Sequence, residues 1–442
     1  MDLQKMLQEK TVTAAVAASI VQSGWSVDYG TALNQPEIFD ATLAERKHQL
    51  KDVRIRSILT MKPHKVLEVD PEQQHFHGES WHFSAHDRKS FDKGLSSYIP
   101  FNFGEGPQLY RDFLDVDIAV LKTTPMDRHG YFNFGMSNSF LRALCEKARR
   151  VVVETSTAMP TCYGLENVIH ISEVDGVIRG DNAPLAELSS APVTEADIKV
   201  ANLIIPEIED GACLQIGIGG MPNAVCSALA HAPVKHLGIH TELFVDGMVD
   251  LAMSGKVTGA YKSTYRGKIV FTFALGSKST YDFLDGNEIC MRLPVNETNL
   301  TENIARNRKV VSINNAMQID LMGQVASESA GFKHKTGTGG QLQFVRGAFM
   351  SEGGKSFMCL SSRYMKGDQP RSRIVVGHPP GTVITTPRTD VMYVVTEYGI
   401  VNLKGKSMPE RVNALIGIAH PDDREVLEKQ ARTNGLLPRR FL

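Results

Sequence analysis

The chain has 442 residues, of which 42% are hydrophobic and 22% charged, and its 48 basic and 49 acidic residues leave a net charge of −1. This composition is ordinary for a globular protein and provides no bulk field that would attract nucleic acid or an anionic membrane. No apolar run reaches the roughly 18–20 residues of a membrane span, and the charged N-terminus lacks a secretory signal. We therefore expect a cytoplasmic protein whose six scattered cysteines are reduced.

Helical patterns begin near Thr13 and near Thr194, and each is followed by a similar segment bounded by glycines. Residues 24–36 read GWSVDYGTALNQP, and residues 211–222 read GACLQIGIGGMP. In both segments, one glycine opens a short strand and a second closes it six residues later. We interpret the match as two copies of the same strand–turn–helix unit.

A second pair of segments matches further along each copy. Residues 117–135 and residues 390–405 both begin with Asp, continue through an apolar strand and a Thr, and reach a turn with the pattern G-x-x-N. Two matched pairs in the same order favour an internal duplication over chance similarity. The duplication predicts two similar α/β domains, residues 1–190 and 191–442, divided near the Pro-containing segment 188–194.

Runs of β-branched residues predict buried strands at 151–153, 309–313 and 391–395, whereas 422–432 has the pattern of a helix. Strands that alternate with helices favour sheets that are mainly parallel and covered on both faces. The predicted fold class is therefore α/β, with two similar domains.

The stretches 64–110 and 331–390 show no clear periodicity and are interpreted as insertions or lids. The first contains a run of histidines, at positions 75, 77, 82 and 86, whose spacing matches no zinc-binding pattern. A structural or substrate-loop role is favoured over a metal site, and no metal is predicted. Trp81, inside the run, is interpreted as a packing residue.

The second glycine segment predicts a turn that could bind an anion. The strand Cys213–Ile216 leads into glycines at 217, 219 and 220, and Pro222 is suited to the first position of a helix. Backbone amides at such a turn can approach a phosphate or a developing oxyanion. A dinucleotide fingerprint would need its third glycine at position 222, and the two Gly-Lys-Ser sequences lack the first glycine of a Walker A loop. Two interpretations stay open: the turn binds an anion that the sequence does not identify, or it is a tight turn that binds no ligand.

A carboxylate follows the next strand. Residues 237–242 read LGIHTE, and a helical pattern begins shortly afterwards. Because parallel α/β sheets place chemistry at the carboxyl ends of their strands, Glu242 and the glycine turn are expected at the same edge. Glu242 could act as a nucleophile or general base, or it could cap a helix or pair with a lysine.

Several long motifs make the chain resemble a known enzyme family. They are PMDRHGYFNFG (125–135), GACLQIGIGGMPNAV (211–225), GIHTELFVDG (238–247), SINNAMQIDLMGQVASESAG (312–331), GTGGQLQFVRGAFMSEGGKSF (337–357) and TEYGIVNLKGKS (396–407). Over nearly its whole length, the chain resembles the acetyl-CoA hydrolase/transferase family, most closely the butyryl-CoA:acetate and 4-hydroxybutyrate CoA-transferases.

The resemblance implies two domains of the ribose-phosphate isomerase-like CoA-transferase fold. It also implies that Glu242 forms a glutamyl-CoA thioester, with backbone amides near Gly219 and Gly220 as our candidates for the oxyanion hole. The positions implied for CoA binding are Gly217, Ile218, Gly219, Gly220, Met221, Met317, Gly340 and Lys366.

The expected function is exchange of CoA between a short-chain acyl-CoA and a small carboxylic acid such as acetate. No permanently bound cofactor is expected, coenzyme A or acyl-CoA being a substrate, and a homo-oligomer is expected. The alternatives are an acyl-CoA hydrolase, or a transferase for a dicarboxylate such as itaconate or succinate, for which Arg363 could supply a cation. Residues 31–33 and 156–160 depart from the family pattern, so the motifs leave the preferred acid open.

Overall fold

A computed structural model describes residues 2–189 and 191–437, and in it the chain divides into two units. One unit comprises Met1–Ser189 and Val270–Thr298, and the other comprises Ser190–Ile269 and Asn299–Leu442. The predicted division after residue 190 falls at the first boundary, whereas Val270–Thr298 belongs to the first unit instead of the second. Ser190 and residues 438–442, at the ends of the predicted domains, lie outside the described residues.

The segment Val270–Thr298 joins the first unit because its backbone and one buried arginine bind that unit's carbonyl groups. Arg292 is fully buried, and its guanidinium donates to the carbonyl oxygens of Ser137 and Asn167 at 3.0 and 3.2 Å. Its own carbonyl accepts from the amide of Leu165 at 3.1 Å. These contacts join residues more than 120 positions apart, so no local pattern marks them.

The strands are, in chain order, β1 (Ser26–Thr31), β2 (Val53–Ile58), β3 (Phe76–Ser80), β4 (Ser96–Tyr98), β5 (Ile118–Thr123), β6 (Tyr131–Asn133), β7 (Arg150–Thr155), β8 (Val168–His170), β9 (Gly176–Arg179), β10 (Cys213–Ile216), β11 (Gly238–Ile239), β12 (Leu243–Phe244), β13 (Ile269–Phe271), β14 (Phe273–Ala274), β15 (Cys290–Arg292), β16 (Val310–Asn315), β17 (Gln318–Asp320), β18 (Val325–Ala326), β19 (Ser329–Ala330), β20 (Lys333–His334), β21 (Lys355–Cys359), β22 (Arg363–Lys366), β23 (Gln369–Ser372), β24 (Ile374–Val375), β25 (Tyr393–Thr396) and β26 (Gly399–Asn402).

The helices are α1 (Leu3–Lys10), α2 (Ala14–Ser19), α3 (Glu37–Ala44), α4 (Lys65–Glu68), α5 (Ala85–Asp92), α6 (Gly106–Asp112), α7 (Leu141–Lys147), α8 (Glu195–Ile204), α9 (Gly220–His231), α10 (Asp246–Met253), α11 (Lys278–Leu284), α12 (Val295–Asn299), α13 (Thr301–Ala305), α14 (Gln341–Met350), α15 (Met408–Gly417) and α16 (Pro421–Thr433).

The first unit is built on a seven-stranded sheet in the order β4-β3-β2-β1-β5-β7-β9, and all its paired strands are parallel. The chain proceeds outward from β1 through β2, β3 and β4, and then continues on the other side of β1 with β5. The strand order therefore reverses between β1 and β5. The core against this sheet includes Val27, Phe39, Ile55 and Val120, all essentially buried.

The second unit contains a six-stranded sheet in the order β11-β10-β16-β21-β25-β26. Its pairs are parallel except for β25 with β26, which form an antiparallel edge. The strand order reverses between β10 and β16, which is where open α/β sheets form a ligand crevice. Both sheets confirm the predicted α/β class with mainly parallel strands.

The first matched pair of segments occupies equivalent places in the two sheets. Thr13 and Thr194 are the N-caps of α2 and α8, and each side-chain oxygen accepts a backbone amide of the first turn. The strands that follow, β1 and β10, both flank the reversal of strand order. The second matched pair differs, because β5 pairs directly with β1 whereas β16 and β21 separate β25 from β10.

The stretch 64–110 is neither an irregular insertion nor a lid, so that interpretation is wrong. It contains α4, α5 and α6 together with β3 and β4, which extend the parallel sheet. The sequence of β3, FHGES, carries no β-branched residue, so its propensity is low. Pairing along β2 and burial of Phe76 override that propensity.

The cysteines, Trp81 and the helices bear on three smaller expectations. All six cysteines are buried and unpaired. Trp81 is 2% exposed and packs against the rings of Phe101, Tyr110 and Phe140. Among the described helices, none combines the length and apolar character that a membrane crossing requires.

Candidate active site

The glycine turn and Glu242 lie at the same edge of the second unit's sheet. Residue 214 of β10 pairs in parallel with Ile239 of β11, and Ile216 pairs with Ile313 of β16. The segments that leave β10, β11 and β16 therefore emerge side by side at the carboxyl end. This is the place that parallel sheets use for ligands.

The glycine turn is shaped by a backbone conformation that favours glycine. Gly219 has φ +121°, and it is the N-cap of α9. The helix begins at Gly220, two residues before the predicted start at Pro222. As first-turn residues, Gly220 and Met221 have amides without intrahelical acceptors. The side chain of Asn315 donates to the carbonyl of Ile218 at 3.0 Å and so holds the turn.

The turn before Glu242 is anchored from both sides. The amide of His240 donates to the carbonyl of Leu214 at 3.0 Å. The buried ammonium of Lys262 donates to the carbonyl of Ile239 at 2.9 Å, and loss of hydration lowers the pKa of Lys262 to about 8. Two hydrogen bonds to consecutive residues thus fix the backbone that carries Glu242.

The carboxylate of Glu242 is bound by an amide side chain and a backbone amide. Asn299 Nδ2 donates to Glu242 Oε2 at 2.5 Å, and the backbone N–H of Gly340 also donates to this carboxylate. Burial raises the pKa of Glu242 to about 7, although these two hydrogen bonds favour the charged form. The helix-cap and lysine-pair interpretations are not supported. Helix α10 starts only at Asp246, and within the described residues no lysine or arginine forms an ion pair with Glu242.

Gly340 lies close to this carboxylate because it has no side chain. A Cβ atom at this position would overlap both Glu242 Oε2 and Asn299 Nδ2. Gly340 is also the N-cap of α14, with φ −99°, a value open to any residue. A glycine is therefore needed at position 340 because a side chain would not fit there, and not because of the backbone angles.

The other predicted CoA-binding positions have different surroundings. Met221 is 4% exposed, so its side chain belongs to the core and only its backbone can face a ligand. Met317 follows β16 at the carboxyl edge, and its carbonyl accepts from Arg373 Nη1 at 3.0 Å. Lys366 ends β22 and is exposed at the tip of the β22–β23 hairpin. Ile218 is 49% exposed beside Gly217 in the glycine turn.

Arg363 does not provide the free cation suggested for a dicarboxylate. Its Nε and Nη2 atoms bind the two carboxylate oxygens of Asp423 at 2.7 and 2.6 Å, and Nη1 binds Asp422 at 3.0 Å. Both aspartates begin α16, about 60 residues further along the chain. The arginine anchors this helix, so it offers no support for a dicarboxylate substrate.

The histidine run shows no metal cluster. His75 Nδ1 contacts the carbonyl of Leu50 at 2.7 Å, and His77 lies 3.5 Å from Asp52. Over residues 2–189 and 191–437, no group of three His, Cys, Asp or Glu side chains could hold a metal ion.

Asn299 is the functional candidate that the sequence motifs missed. It ends the short helix α12, 57 residues after Glu242. No strand precedes it and no glycine pattern marks it, so only the fold reveals its contact with the carboxylate.

Comparison with known proteins confirms the resemblance of the motifs. The model of the acetyl-CoA hydrolase/transferase N-terminal domain matches residues 1–188, and that of the C-terminal domain matches residues 276–431. The chain is 45% identical to the butyryl-CoA:acetate CoA-transferase of Anaerostipes caccae, with 98% of each chain covered. It is 36% identical to the 4-hydroxybutyrate coenzyme A transferase of Clostridium kluyveri, over 97% of this chain and 98% of that one. The crystal structure of RipA from Yersinia pestis superimposes with a TM-score of 0.91 at 35% identity, over 99% of this chain and 100% of that one. The chain therefore belongs to the acetyl-CoA hydrolase/transferase family.

Proposed function

We propose that this protein exchanges CoA between a short-chain acyl-CoA and a carboxylate such as acetate, through a glutamyl-CoA thioester on Glu242. Family membership and relatives named as CoA-transferases support CoA transfer as the reaction class. The observation that carries the mechanism is the desolvated carboxylate of Glu242, held by Asn299 and Gly340 at the carboxyl edge of the sheet.

In the first half-reaction, the Glu242 carboxylate attacks the acyl-CoA carbonyl and expels CoA thiolate, which leaves a mixed anhydride. The thiolate then attacks the glutamyl carbonyl, which forms glutamyl-CoA and releases the first carboxylate. A second carboxylate attacks the glutamyl thioester and expels CoA thiolate, which leaves a second mixed anhydride. The thiolate then attacks the new acyl carbonyl of this anhydride, which forms the new acyl-CoA and frees the Glu242 carboxylate. One thioester is exchanged for another, so the cycle balances without ATP or an additional reactant.

The donors that hold Glu242 are suited to the charge that develops during these steps. When thiolate attacks the glutamyl carbonyl, one glutamyl oxygen becomes an oxyanion. The Asn299 amide and the Gly340 N–H already donate to this carboxylate, so they can stabilise that oxyanion with little rearrangement. Amides of Gly219 and Gly220 stay our candidates for the oxyanion formed on the acyl carbonyl.

Relatives named for butyryl-CoA, 4-hydroxybutyrate and acetate suggest the substrates. We assign butyryl-CoA or 4-hydroxybutyryl-CoA as donor and acetate as acceptor. Acyl-CoA and a small carboxylic acid are then the partners, and no permanently bound cofactor takes part. Homo-oligomeric assembly stays a prediction from the sequence.

The test is to detect the covalent intermediate. Incubation with butyryl-CoA and no acceptor should add the mass of CoA to the peptide that contains Glu242, and acetate should then remove it as acetyl-CoA. Glu242→Gln should form no adduct. Full activity and an adduct in the variant would exclude the mechanism, whereas release of free CoA at a rate independent of acetate would identify a hydrolase.

A further inference from the structure

The imidazole of His240, two residues before Glu242, is buried and held by an asparagine. His240 is 3% exposed, and its Nδ1 atom lies 3.4 Å from the side-chain Nδ2 of Asn307. Asn307 is fully buried, and its Oδ1 accepts the backbone N–H of Thr264 at 3.2 Å. Because a backbone N–H can only donate, this contact orients the amide of Asn307 with Nδ2 toward the ring. Asn307 is therefore the donor, and His240 Nδ1 is the acceptor.

Asn307 belongs to a packed pair of helices. It follows α13 by two residues, and its carbonyl accepts from the Oγ of Ser351, the C-cap of α14, at 2.6 Å. Along the helices, Ile304 of α13 and Phe344 of α14 lie in one buried cluster. A Cβ atom at Gly347 of α14 would lie 2.5 Å from Ile304, so a glycine there lets the helices approach closely. We call these two helices, together with Asn307, the α13–α14 pair.

The nucleophile and its turn are held from the two ends of this pair. Asn299 lies just before α13 and donates to the Glu242 carboxylate, and the N–H of Gly340, the N-cap of α14, donates to it as well. Asn307, after α13, donates to the ring of His240. Two of these contacts fix the carboxylate, and the third fixes a side chain two residues earlier. The α13–α14 pair therefore holds both ends of the segment that carries the carboxylate.

The sheet alone does not fix this segment. Strand β11 is two residues long and lies at the edge of the sheet. On its inner side, the N–H of His240 continues the pairing with β10, and on its outer side Lys262 bonds the carbonyl of Ile239. These bonds end at residues 239 and 240, so they leave the direction of the Glu242 side chain to other contacts.

We propose that Asn307 is a positioning residue for the nucleophile and that it acts through the ring of His240 to set the direction in which the Glu242 carboxylate faces an acyl-CoA. This inference rests on the proposed function, because Glu242 is the nucleophile only in that mechanism. Asn307 is fully buried, so it acts through His240 and not by contact with a substrate. Its loss should slow the attack and leave the binding of CoA unchanged.

The rate of adduct formation tests this assignment in the full-length protein. Asn307→Leu removes both hydrogen bonds of the side chain at a similar volume. With saturating butyryl-CoA and no acceptor, it should slow formation of the CoA adduct on Glu242 by about 10- to 100-fold, because a displacement of about 1 Å at a reacting group can cost on the order of 10²-fold. The Kd for CoA, measured by calorimetry, should stay at the wild-type value. A wild-type rate of adduct formation, or an equal loss in rate and in CoA affinity, would overturn the assignment.

Thr396→Val is the matched control. Thr396 is also fully buried, and its side chain also makes two hydrogen bonds, to the carbonyl of Ile418 at 2.6 Å and from the N–H of Tyr398 at 3.1 Å. It ends β25, which is four strands from β11, about 19 Å across the sheet. Thr396→Val should lower the midpoint of urea denaturation about as much as Asn307→Leu and form the adduct at the wild-type rate. An equal loss of rate in both variants would show general destabilisation and contradict a positioning role.

A rescue experiment isolates the bond between Asn307 and His240. In His240→Asn the new Oδ1 takes the place of Nδ1 and can accept from Asn307, whereas the side chain in His240→Leu has no acceptor. Both variants lose Nε2, so the difference between them measures this bond. His240→Asn should form the adduct about tenfold faster than His240→Leu, and adding Asn307→Leu to each should remove the difference. Equal rates in the two single variants would count against the inference.

The wild-type protein distinguishes an error in this inference from an error in the proposed function. If the wild type forms no adduct, Glu242 is not the nucleophile and both are wrong. If the wild type forms the adduct and Asn307→Leu forms it equally fast, the mechanism holds and only the role of Asn307 is wrong.

Discussion

At the scale of the residue, the carboxylate that we propose as the nucleophile has lost most of its water. Burial raises the pKa of Glu242 to about 7, and no cation in the described part of the chain pairs with it to reverse the effect. A desolvated carboxylate is a stronger nucleophile than a hydrated one, but it must be ionised to react. The same environment that favours attack therefore makes the ionised fraction depend on pH near neutrality.

We expect the kcat/KM for acyl-CoA to rise with pH and to level off above about pH 7. Below the pKa of Glu242, about 7, the protonated carboxyl predominates, so the rate should fall close to tenfold for each pH unit. Initial rates with butyryl-CoA and acetate between pH 5 and 9 measure this. A profile that is flat from pH 5 to 7 would contradict ionisation of Glu242 as the controlling event.

The raised pKa of Glu242 predicts that its ionised carboxylate lowers the free energy of unfolding at high pH. Its folded pKa, about 7, lies above its unfolded value of 4.5, so the folded state binds more protons between these values and stability falls as pH rises through this window. Glu242→Gln should therefore increase the free energy of unfolding at pH 8 by about 2–3 kcal/mol. Near pH 4 the gain should vanish. Urea denaturation at both pH values measures the difference, with Glu425→Gln, at an exposed position of α16, as control.

The position of Glu242 could be predicted from the sequence, whereas its partners could not. A carboxylate directly after a strand in an α/β pattern is placed by topology alone. Asn299 and Gly340 reach it from positions 57 and 98 residues away, through packing that no local pattern encodes. Arg363 shows the opposite error, since its charge was visible but its ion pairs with α16 were not.

At the scale of the element, the start of α14 is built around a missing side chain. Gly340→Ala places a methyl group against the Glu242 carboxylate and the Asn299 amide, although its backbone angles suit alanine. A displacement of about 1 Å at a reacting group can cost on the order of 10²-fold in rate, and we expect a loss of this size.

The comparison for this prediction is Gly377→Ala in the same unit, because no heavy atom beyond the adjoining residues lies within 4 Å of a Cβ at that position. Initial rates and the yield of the CoA adduct on Glu242 should both fall for Gly340→Ala and stay at the wild-type level for Gly377→Ala. If Gly340→Ala retains wild-type rates, the close contact has no part in positioning the nucleophile.

The sequence predicts well those elements that have a strong local pattern of residues, but it does not predict strands that form only by pairing with a neighbouring strand. The strand Cys213–Ile216 and the N-caps Thr13 and Thr194 agree with the sequence patterns, because each depends on residues within one turn or strand. The strand β3 was missed, since its FHGES sequence forms a strand only where β2 offers it a partner.

At the scale of the whole molecule, the two units differ at the start of the helix that follows the strand beside the reversal of strand order. In the first unit, the helix that follows β1 is α3, and its first-turn amides at Ile38 and Phe39 donate to the buried carboxylate of Glu154, at 3.1 and 2.9 Å to Oε2. In the second unit, the helix that follows β10 is α9, which begins at the glycine turn. An internal carboxylate binds the backbone amides at the start of α3, whereas within the described residues no side-chain hydrogen bond caps the start of α9.

This difference predicts separate consequences for matched substitutions. Glu154→Ala removes the acceptor of the Ile38 amide and of the buried Phe39 amide, so it should lower the free energy of unfolding by roughly 2–4 kcal/mol while the affinity for CoA stays unchanged. Gly219→Ala introduces a side chain at φ +121°, so it should weaken CoA binding as the turn rearranges. Calorimetry with CoA and urea denaturation of each variant distinguish the two effects.

Loss of CoA affinity in Glu154→Ala, at a temperature where the variant is folded, would show that the first unit also contributes its helix start to binding. The expected outcome leaves CoA binding to the glycine turn, which would mean that duplication supplied two similar frameworks and sequence divergence kept only one of these helix starts open.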